Sequence, residues 1–189
     1  LKYQGHGQAY AKAAYNKRNP AFPNFSQNCA NFVSQCMLAS GIHMRDEWYV
    51  DRKNDKYPSP SGDTQIDHSW TLRTMGGFLG FGASSPWTSA PRFQDFWTPR
   101  VTDSSFTCSS VKSDPTQVYN ANYGIGDVVQ LLSGGKAWHT LYIVGYMTDS
   151  QTNRLTYQMA SNTSDYADKS LVEIARNYPN DTFRFYKMI

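Results

Sequence analysis

A chain of 189 residues with a net charge of +3 and 15% aromatic residues is long enough for one domain with a real core. Its low net charge and its many aromatic side chains exclude a disordered chain, and the lack of a basic stripe disfavours nucleic-acid binding. No long apolar run is present, so we expect no membrane span. Because there are three cysteines, an odd number, at least one thiol stays unpaired within the chain.

The N-terminal part of the sequence predicts helices. A short helix is expected over 7–18 and a clearer one over 29–40. Side chains recur at helical spacing in the second segment: Cys29, Phe32, Val33, Cys36, Met37 and Ser40. Asn28 or Ser26 can cap the N-terminus of this helix, and Gly41 ends it.

The middle of the chain predicts loops. Residues 44–69 are polar, residues 70–81 are compatible with a short helix, and residues 83–110 are expected to be irregular. Long loops in a compact domain are usually functional, so we interpret this region as the wall of a groove. Its aromatic side chains are groove candidates, although about half of the tryptophans are expected in the core: Trp48, Tyr49, Trp70, Trp87 and Trp97.

The last third of the sequence predicts β-strands. They are expected at 127–132, 138–147, 154–161 and 182–187. Helices followed by consecutive strands indicate the α+β class with an antiparallel sheet. We expect one domain over 1–189, with a helical part at about 1–82, an irregular part at about 83–125 and a sheet at about 126–189.

Cys29 is the candidate nucleophile. At the first turn of a helix, unpaired N–H groups lower the pKa of a thiol and can also hold an oxyanion. The alternative is that Cys29 is a small core residue, since free cysteines are usually buried.

His139 is the candidate base among the four histidines. It follows a Gly-Gly turn at the start of a β-run, which is a rigid place from which to direct an imidazole. The alternative is a hydrogen-bonded histidine at the rim of a sheet. The other three histidines are expected at the surface or behind the site: His6, His43 and His68.

Asn162 is the candidate for the group that orients His139. If 138–147 and 154–162 pair around a turn centred near 150–151, residue 162 faces residue 139. A register slip of one residue would bring in Ser161 or Thr163 instead, and Asp165 is the nearest carboxylate. The alternative is that this segment is simply the turn that ends a strand.

The remaining cysteines and possible ligands give weaker signals. Cys36 is expected in the core, and a Cys36–Cys108 bridge is an open alternative. The sequence holds no zinc-binding spacing and no glycine-rich phosphate loop, so we expect neither a metal nor a cofactor.

The segment NCANFVSQCMLASG at 28–41 resembles the signature of the bacterial putative amidase domain family, within the papain-like clan of NlpC-type and CHAP-type cell-wall cysteine peptidases. The similarity extends in the same order along nearly the whole chain. The segments that carry it are Tyr10 to Tyr15, Asn19-Pro20, Trp48-Tyr49, Ser69-Trp70, Gly126 to Gln130, Trp138-His139-Thr140, Ser161 to Asp165 and Ser170-Leu171.

This resemblance implies a papain-like or NlpC-type fold and a thiol hydrolase. It implies Cys29 as nucleophile, His139 as base and a polar third residue, here Asn162. We expect Asn28 and Asn31 to support the oxyanion site. The resemblance also implies that the chain acts on an amide or peptide bond of bacterial peptidoglycan. The position before the nucleophile is often Asp in these families and is Asn28 here.

We accordingly expect a secreted or cell-wall-associated monomer, as one domain of a longer protein or alone. Trp48, Tyr49, Trp70 and Trp138 are the residues expected to contact substrate. Two other functions stay open: an acyltransferase that passes the thioester to an amine, and a catalytically idle module that binds the cell wall.

Overall fold

The computed structural model describes residues 4–45, 47–50 and 83–188. The helices are α1 (Gln4–Ala14), α2 (Cys29–Ala39), α3 (Ser85–Thr88), α4 (Ala90–Trp97), α5 (Cys108–Ser113), α6 (Thr116–Asn120) and α7 (Leu171–Asn177). The strands are β1 (Asp103–Thr107), β2 (Val128–Ser133), β3 (Lys136–Thr148), β4 (Leu155–Ser161), β5 (Tyr166–Ser170) and β6 (Thr182–Tyr186). The helix considered for 70–81 lies outside the described residues, as does Trp70.

The strands form one antiparallel sheet in the order β1-β6-β2-β3-β4-β5. The predicted α+β class is therefore confirmed, as are the helix that begins at Cys29 and all four predicted strands. The first helix lies a few residues earlier than the predicted 7–18. Two short edge strands, β1 and β5, were not predicted because their sequences, DSSFT and YADKS, carry little of the apolar alternation that marks a strand.

The prediction of an irregular part at 83–125 is wrong. This interval contains α3, α4, β1, α5 and α6. The helices there have four to eight residues, so each is too short to show an apolar repeat in the sequence. Tertiary packing stabilises such short helices better than their own propensity does.

Helices cover both faces of the sheet, which therefore lies between two hydrophobic clusters. On one face α1 to α4 pack against Tyr142, Val144 and Ala160. On the other face α5 to α7 pack against Leu141, Ile143 and Met159. Because side chains alternate along a strand, neighbouring residues of β3 from Leu141 to Val144 enter different clusters.

An irregularity between Ile143 and Gly145 sets the register of β3 and β4. Gly145 pairs with Gln158, whereas Ile143 pairs with Met159, so β3 carries one residue, Val144, that has no counterpart on β4. A Cβ at Gly145 would lie 2.9 Å from Oε1 of Gln158, so a larger residue there would require the end of the Gln158 side chain to shift. The bulge shifts the pairing by one residue, and neither side of it has the predicted register, in which residue 139 would face residue 162.

The ladder between β3 and β4 ends at the pair Tyr142–Ala160, so the described part of β4 leaves residues 136–141 of β3 without a partner on that side. The N-terminus of α2 approaches this unpaired segment. Within the described ranges, no helix is both long and apolar enough to cross a membrane.

Candidate functional site

Helix α2 begins directly at Cys29. The carbonyl of Asn28 accepts the first helical hydrogen bond from the N–H of Phe32 at 2.8 Å. The predicted side-chain cap is absent, because Oδ1 of Asn28 accepts instead from Nδ2 of Asn31 at 2.8 Å and from the N–H of Phe25 at 3.3 Å. The N–H groups of the first turn are thus left without a side-chain acceptor from Asn28, next to the thiol.

Cys29 and His139 line the same pocket. It has a volume of about 160 Å³ and lies where α2 meets the unpaired part of β3. The other residues that line it are Gln27, Leu131, Trp138, Thr163, Ser164, Tyr166, Lys169, Ile174, Asn177 and Tyr178. Helix α2, strands β2, β3 and β5, and helix α7 therefore each contribute a wall.

Burial raises the pKa of the Cys29 thiol above its usual value. The N–H groups of Thr140 and Ala30 and the hydroxyl of Thr140 act in the opposite direction but do not outweigh burial. The N–H group of Ala30 in the first turn of α2 thus lowers this pKa as predicted, but burial is the larger effect and the net shift is upward. Cys29 is only 7% exposed, and at neutral pH it is a thiol that keeps its proton.

Burial also lowers the pKa of His139 to about 4, and the nearby positive charge of Lys169 adds to this effect. The imidazole is therefore neutral at physiological pH and can accept a proton. The ring of Trp138 stacks beside it, with the centroids 5.4 Å apart and the planes 18° from parallel. His139 thus has the protonation state that a general base requires.

Ser161 is the residue that contacts His139. Its hydroxyl lies 3.0 Å from Nε2 of the imidazole, and it also interacts with the phenol of Tyr166. This contact holds the ring at Nε2, and the tautomer decides which partner donates: with the ring proton on Nε2, Nδ1 is the nitrogen that can accept a proton. From the sequence, Ser161 was expected opposite His139 only if the predicted register slipped by one residue.

Asn162 does not occupy the predicted position beside His139. Its Oδ1 accepts from Nδ2 of Asn28 at 2.5 Å, and its Nδ2 donates to the carbonyl of Tyr15 at 2.7 Å and to Asp165 at 3.1 Å. The bulge in β3 is the reason. It places Ser161 on the face of His139 and turns Asn162 to the opposite face, toward α1 and α2.

Asn28 and Asn31 hold α2 in place from behind the pocket. The Asn28–Asn162 hydrogen bond joins the start of α2 to the turn between β4 and β5. Asn31 donates to the carbonyl of Pro23 at 2.9 Å and accepts from Nε1 of Trp87 at 2.9 Å. Neither asparagine lines the pocket, so their side chains hold the start of α2 and are not part of the pocket wall.

The expected groove wall is largely core. Trp48 is fully buried, with its ring 4.6 Å from that of Trp87 and 5.2 Å from that of Trp97. Tyr49 packs against the same cluster and is half-buried. Among the predicted aromatic contacts within the described ranges, Trp138 alone lines the pocket. It is 39% exposed, and its Nε1 donates to Asp181 at 2.9 Å.

The three cysteines are all buried and unpaired. Cys36 lies in the cluster on one face of the sheet and Cys108 in the cluster on the other face, so the sheet separates them and the bridge considered between them is not formed. Among residues 4–45, 47–50 and 83–188, no three His, Cys, Asp or Glu side chains are grouped as a metal site would need.

The family model described as "Putative amidase domain" matches residues 3–186. The chain belongs to this family. The description of the family indicates an amidase-type hydrolase. No solved structure matches the chain.

Part of the chain is similar in sequence to a curated protein, "Uncharacterized protein YhbB" of Bacillus subtilis (strain 168). It is 61% identical to the present amidase-family chain over 36 residues. The match covers 19% of this chain and 12% of that protein. The chain therefore matches only a small part of the length of its curated relative.

Tyr166 and Lys169 of this amidase-family chain were not predicted as pocket residues, and Thr140 was predicted only as part of a motif. Tyr166 and Lys169 lie on β5, a strand without a clear sequence pattern. A signal was present next to it: Ser170 followed by Glu173 is the pattern of a helix N-terminus, and the hydroxyl of Ser170 accepts from the N–H of Glu173 at 2.8 Å. That pattern predicts α7 and a short connection before it.

Proposed function

We propose that this domain is a thiol-dependent amide hydrolase in which Cys29 is the nucleophile and His139 the base. The observation that carries the proposal is that a buried thiol and a neutral imidazole line one small pocket. The family description supports amide hydrolysis as the reaction class.

In the first step the Cys29 sulfur attacks the carbonyl carbon of the amide while its proton passes to Nδ1 of His139. Because the thiol keeps its proton at rest, proton transfer accompanies the attack. The tetrahedral intermediate carries a negative oxygen, which the free N–H groups at the start of α2 stabilise. The imidazolium then protonates the leaving amine, the C–N bond breaks and a thioester remains.

In the second step His139 removes a proton from water, which attacks the thioester. The C–S bond breaks, the acid leaves and the Cys29 thiol regains its proton. Ser161 acts as a positioning residue in both steps, since its contact with Nε2 at 3.0 Å holds the ring with Nδ1 available.

We propose peptide amides of bacterial peptidoglycan as the substrate, with the domain outside the cell or attached to its wall. The resemblance to cell-wall cysteine peptidases supports this choice. The exposed rings of Trp138 and Tyr178 beside the pocket give an extended polymer a surface to contact.

Purified cell walls incubated with the protein test this function, with the released fragments identified by mass spectrometry. We expect new amine and carboxyl ends from the wild type and a loss of at least about a thousandfold in rate for Cys29→Ala, since removing a nucleophile eliminates the covalent route. Cys108→Ala is the matched control, because it removes a buried thiol on the other face of the sheet.

Cleavage that survives Cys29→Ala would refute the mechanism. A wild type that releases nothing while it binds cell walls would indicate the idle binding module. Addition of a competing amine separates the remaining alternative, since an acyltransferase would join that amine to the acyl fragment in place of water.

A further inference from the structure

Lys169 brings a positive charge to the pocket that holds Cys29 and His139. It lies on β5, the edge strand, opposite Met159 of β4. Its side chain is half-buried and lines the pocket. Its charge is close enough to His139 to oppose protonation of the imidazole.

Among the described residues that line the pocket, Lys169 is the one that carries a formal charge at neutral pH. Its ammonium lies 4.6 Å from the ring centroid of Tyr166, which is a cation–π contact. Within the described part of the chain no carboxylate lies within 4.0 Å of it, and Asp165, four residues earlier in the chain, accepts a hydrogen bond from Asn162.

The ammonium of Lys169 disfavours the proposed reaction unless an anion lies beside it. His139 must become an imidazolium during the attack, and a second positive charge nearby disfavours that state. A carboxylate beside Lys169 would cancel this effect. A substrate that carries a carboxylate would therefore bind beside Lys169, and its negative charge would make His139 a stronger base.

We propose that Lys169 binds a carboxylate of the substrate, so that the domain prefers amides with a free carboxylate close to the scissile bond. This inference rests on the proposed function and names its substrate class: acidic peptides or acylated amino acids, not neutral amides. Lys169 is a specificity-determining residue that contacts substrate, separate from Cys29 and His139.

A binding experiment tests the inference without relying on turnover. The probes are N-acetyl-Ala-Ala with a free carboxyl group and the same dipeptide as its C-terminal amide. Binding of each to the Cys29→Ala variant is measured by NMR titration. We expect the carboxylate to bind about tenfold more tightly than the amide, as a charge-assisted hydrogen bond provides.

In the double variant Cys29→Ala/Lys169→Met this preference should disappear, and in Cys29→Ala/Lys169→Arg it should return. Cys29→Ala/Lys136→Met is the matched control, since Lys136 is exposed at the start of β3. It should bind both probes as the Cys29→Ala variant does.

Equal affinity for the two probes in the Cys29→Ala variant, or no measurable binding of either, would overturn the inference, and so would a preference that survives Lys169→Met. These results are independent of the cell-wall assay. Cleavage that persists in Cys29→Ala contradicts the proposed function, whereas loss of the carboxylate preference contradicts only the role of Lys169.

Discussion

Cys29 and His139 form a neutral pair in the described structure, and burial is the cause on both sides. Each group loses hydration when it becomes charged, so the thiol keeps its proton and the imidazole stays without one. With these directions of the pKa shifts, the proposed mechanism transfers the proton during the attack and does not begin from a separated thiolate and imidazolium.

Alkylation of Cys29 by iodoacetamide is the first prediction. Because burial raises the pKa of this thiol, the thiolate fraction is small at pH 6 and grows about tenfold with each pH unit below the pKa. We expect slow labelling at pH 6 and a steep increase up to and beyond pH 9. Mass spectrometry of the labelled peptide over that range measures the profile.

Cys108 serves as an internal comparison, since burial raises its pKa to about 12 and it lies in the opposite cluster. It should label more slowly than Cys29 throughout. A labelling rate of Cys29 that is already at its plateau at pH 6 would mean that a thiolate is present at rest.

At the residue scale, the sequence predicted the pocket's thiol and imidazole but not their charge states. Cys29 was recognisable because it starts an apolar helix, and His139 because it starts a β-run. The pKa directions depend on how deeply other segments bury these groups. For Cys29 the distant contributor is Thr140 of β3, and for His139 it is Lys169 of β5, so the shifts depend on segments that only the fold brings together.

The turn between β3 and β4 is held to α7 by the buried carboxylate of Asp149. Arg176 donates two hydrogen bonds to it, at 2.7 and 2.9 Å, and the hydroxyl of Ser170 donates at 3.0 Å. Thr152 donates from its N–H and its hydroxyl at 2.9 and 2.8 Å. These donors, Arg176 first among them, hold the pKa of the carboxyl well below its usual range.

Asp149→Asn is the second prediction. The change removes the charge that Arg176 neutralises, so we expect the free energy of unfolding at pH 7 to fall by about 2 kcal/mol, less than for a fully buried pair because Arg176 is 20% exposed. The folded-state pKa is lowered, so the stabilisation is present above about pH 4 and is lost as the pH falls below it. Urea unfolding at pH 7 and pH 3 measures both effects.

Asp168→Asn is the matched control for this change, since Asp168 lies on β5 and is exposed. It should alter the free energy of unfolding by less than about 0.5 kcal/mol. A wild-type advantage over Asp149→Asn that grew at pH 3 would contradict the assigned role of the carboxylate.

Elements with a long apolar repeat were predictable, and those without one were not. Helix α2 shows ten buried residues among its eleven, and its spacing in the sequence is unambiguous. Strand β5 has five residues of mixed polarity and forms because β4 offers it a free edge. The partner of His139 could not be predicted, since a single unmatched residue in β3 decides between Ser161 and Asn162.

At the scale of the whole molecule, three of the four tryptophans in the described ranges fill the cluster between the helices α1 to α4 and the sheet: Trp48, Trp87 and Trp97. Trp48 is fully buried, and its Nε1 donates to Ser34 at 3.1 Å, while Ser34 donates to the carbonyl of Trp87 at 2.9 Å. Trp48 thereby connects the segment after α2 with α3 and α4. Trp138 instead lies at the pocket, 39% exposed.

The third prediction concerns two separate variants, Trp48→Ala and Trp138→Ala. Trp48→Ala leaves a large cavity and should lower the free energy of unfolding by about 3–5 kcal/mol. Trp138→Ala should lower it by less than about 1 kcal/mol and should instead lower kcat/KM, because the ring beside His139 is lost. Chemical unfolding and the cell-wall assay measure the two variants in parallel.

The opposite pattern, with Trp48→Ala fully stable and impaired only in substrate binding, would show that Trp48 lines the groove as the sequence suggested. The sequence could not separate these two roles, because both need a large aromatic side chain.

The α+β class followed from the order of helices and strands alone. The division of the helices between two faces of the sheet depended on short helices that the sequence does not reveal.

Because Val144 has no partner on β4, the alternation of side chains between the two faces of β3 shifts by one residue at this point. On the turn side of Val144, Tyr146 pairs with Tyr157, and this pair lies on the side of helices α5 to α7. On the other side of Val144, Tyr142 pairs with Ala160, and this pair lies on the side of helices α1 to α4. Deleting Val144 would force one half of β3 to turn over. Either Tyr146 would leave Tyr157 or His139 would exchange sides with its neighbours, so a residue about 15 Å along the strand determines which way the imidazole faces.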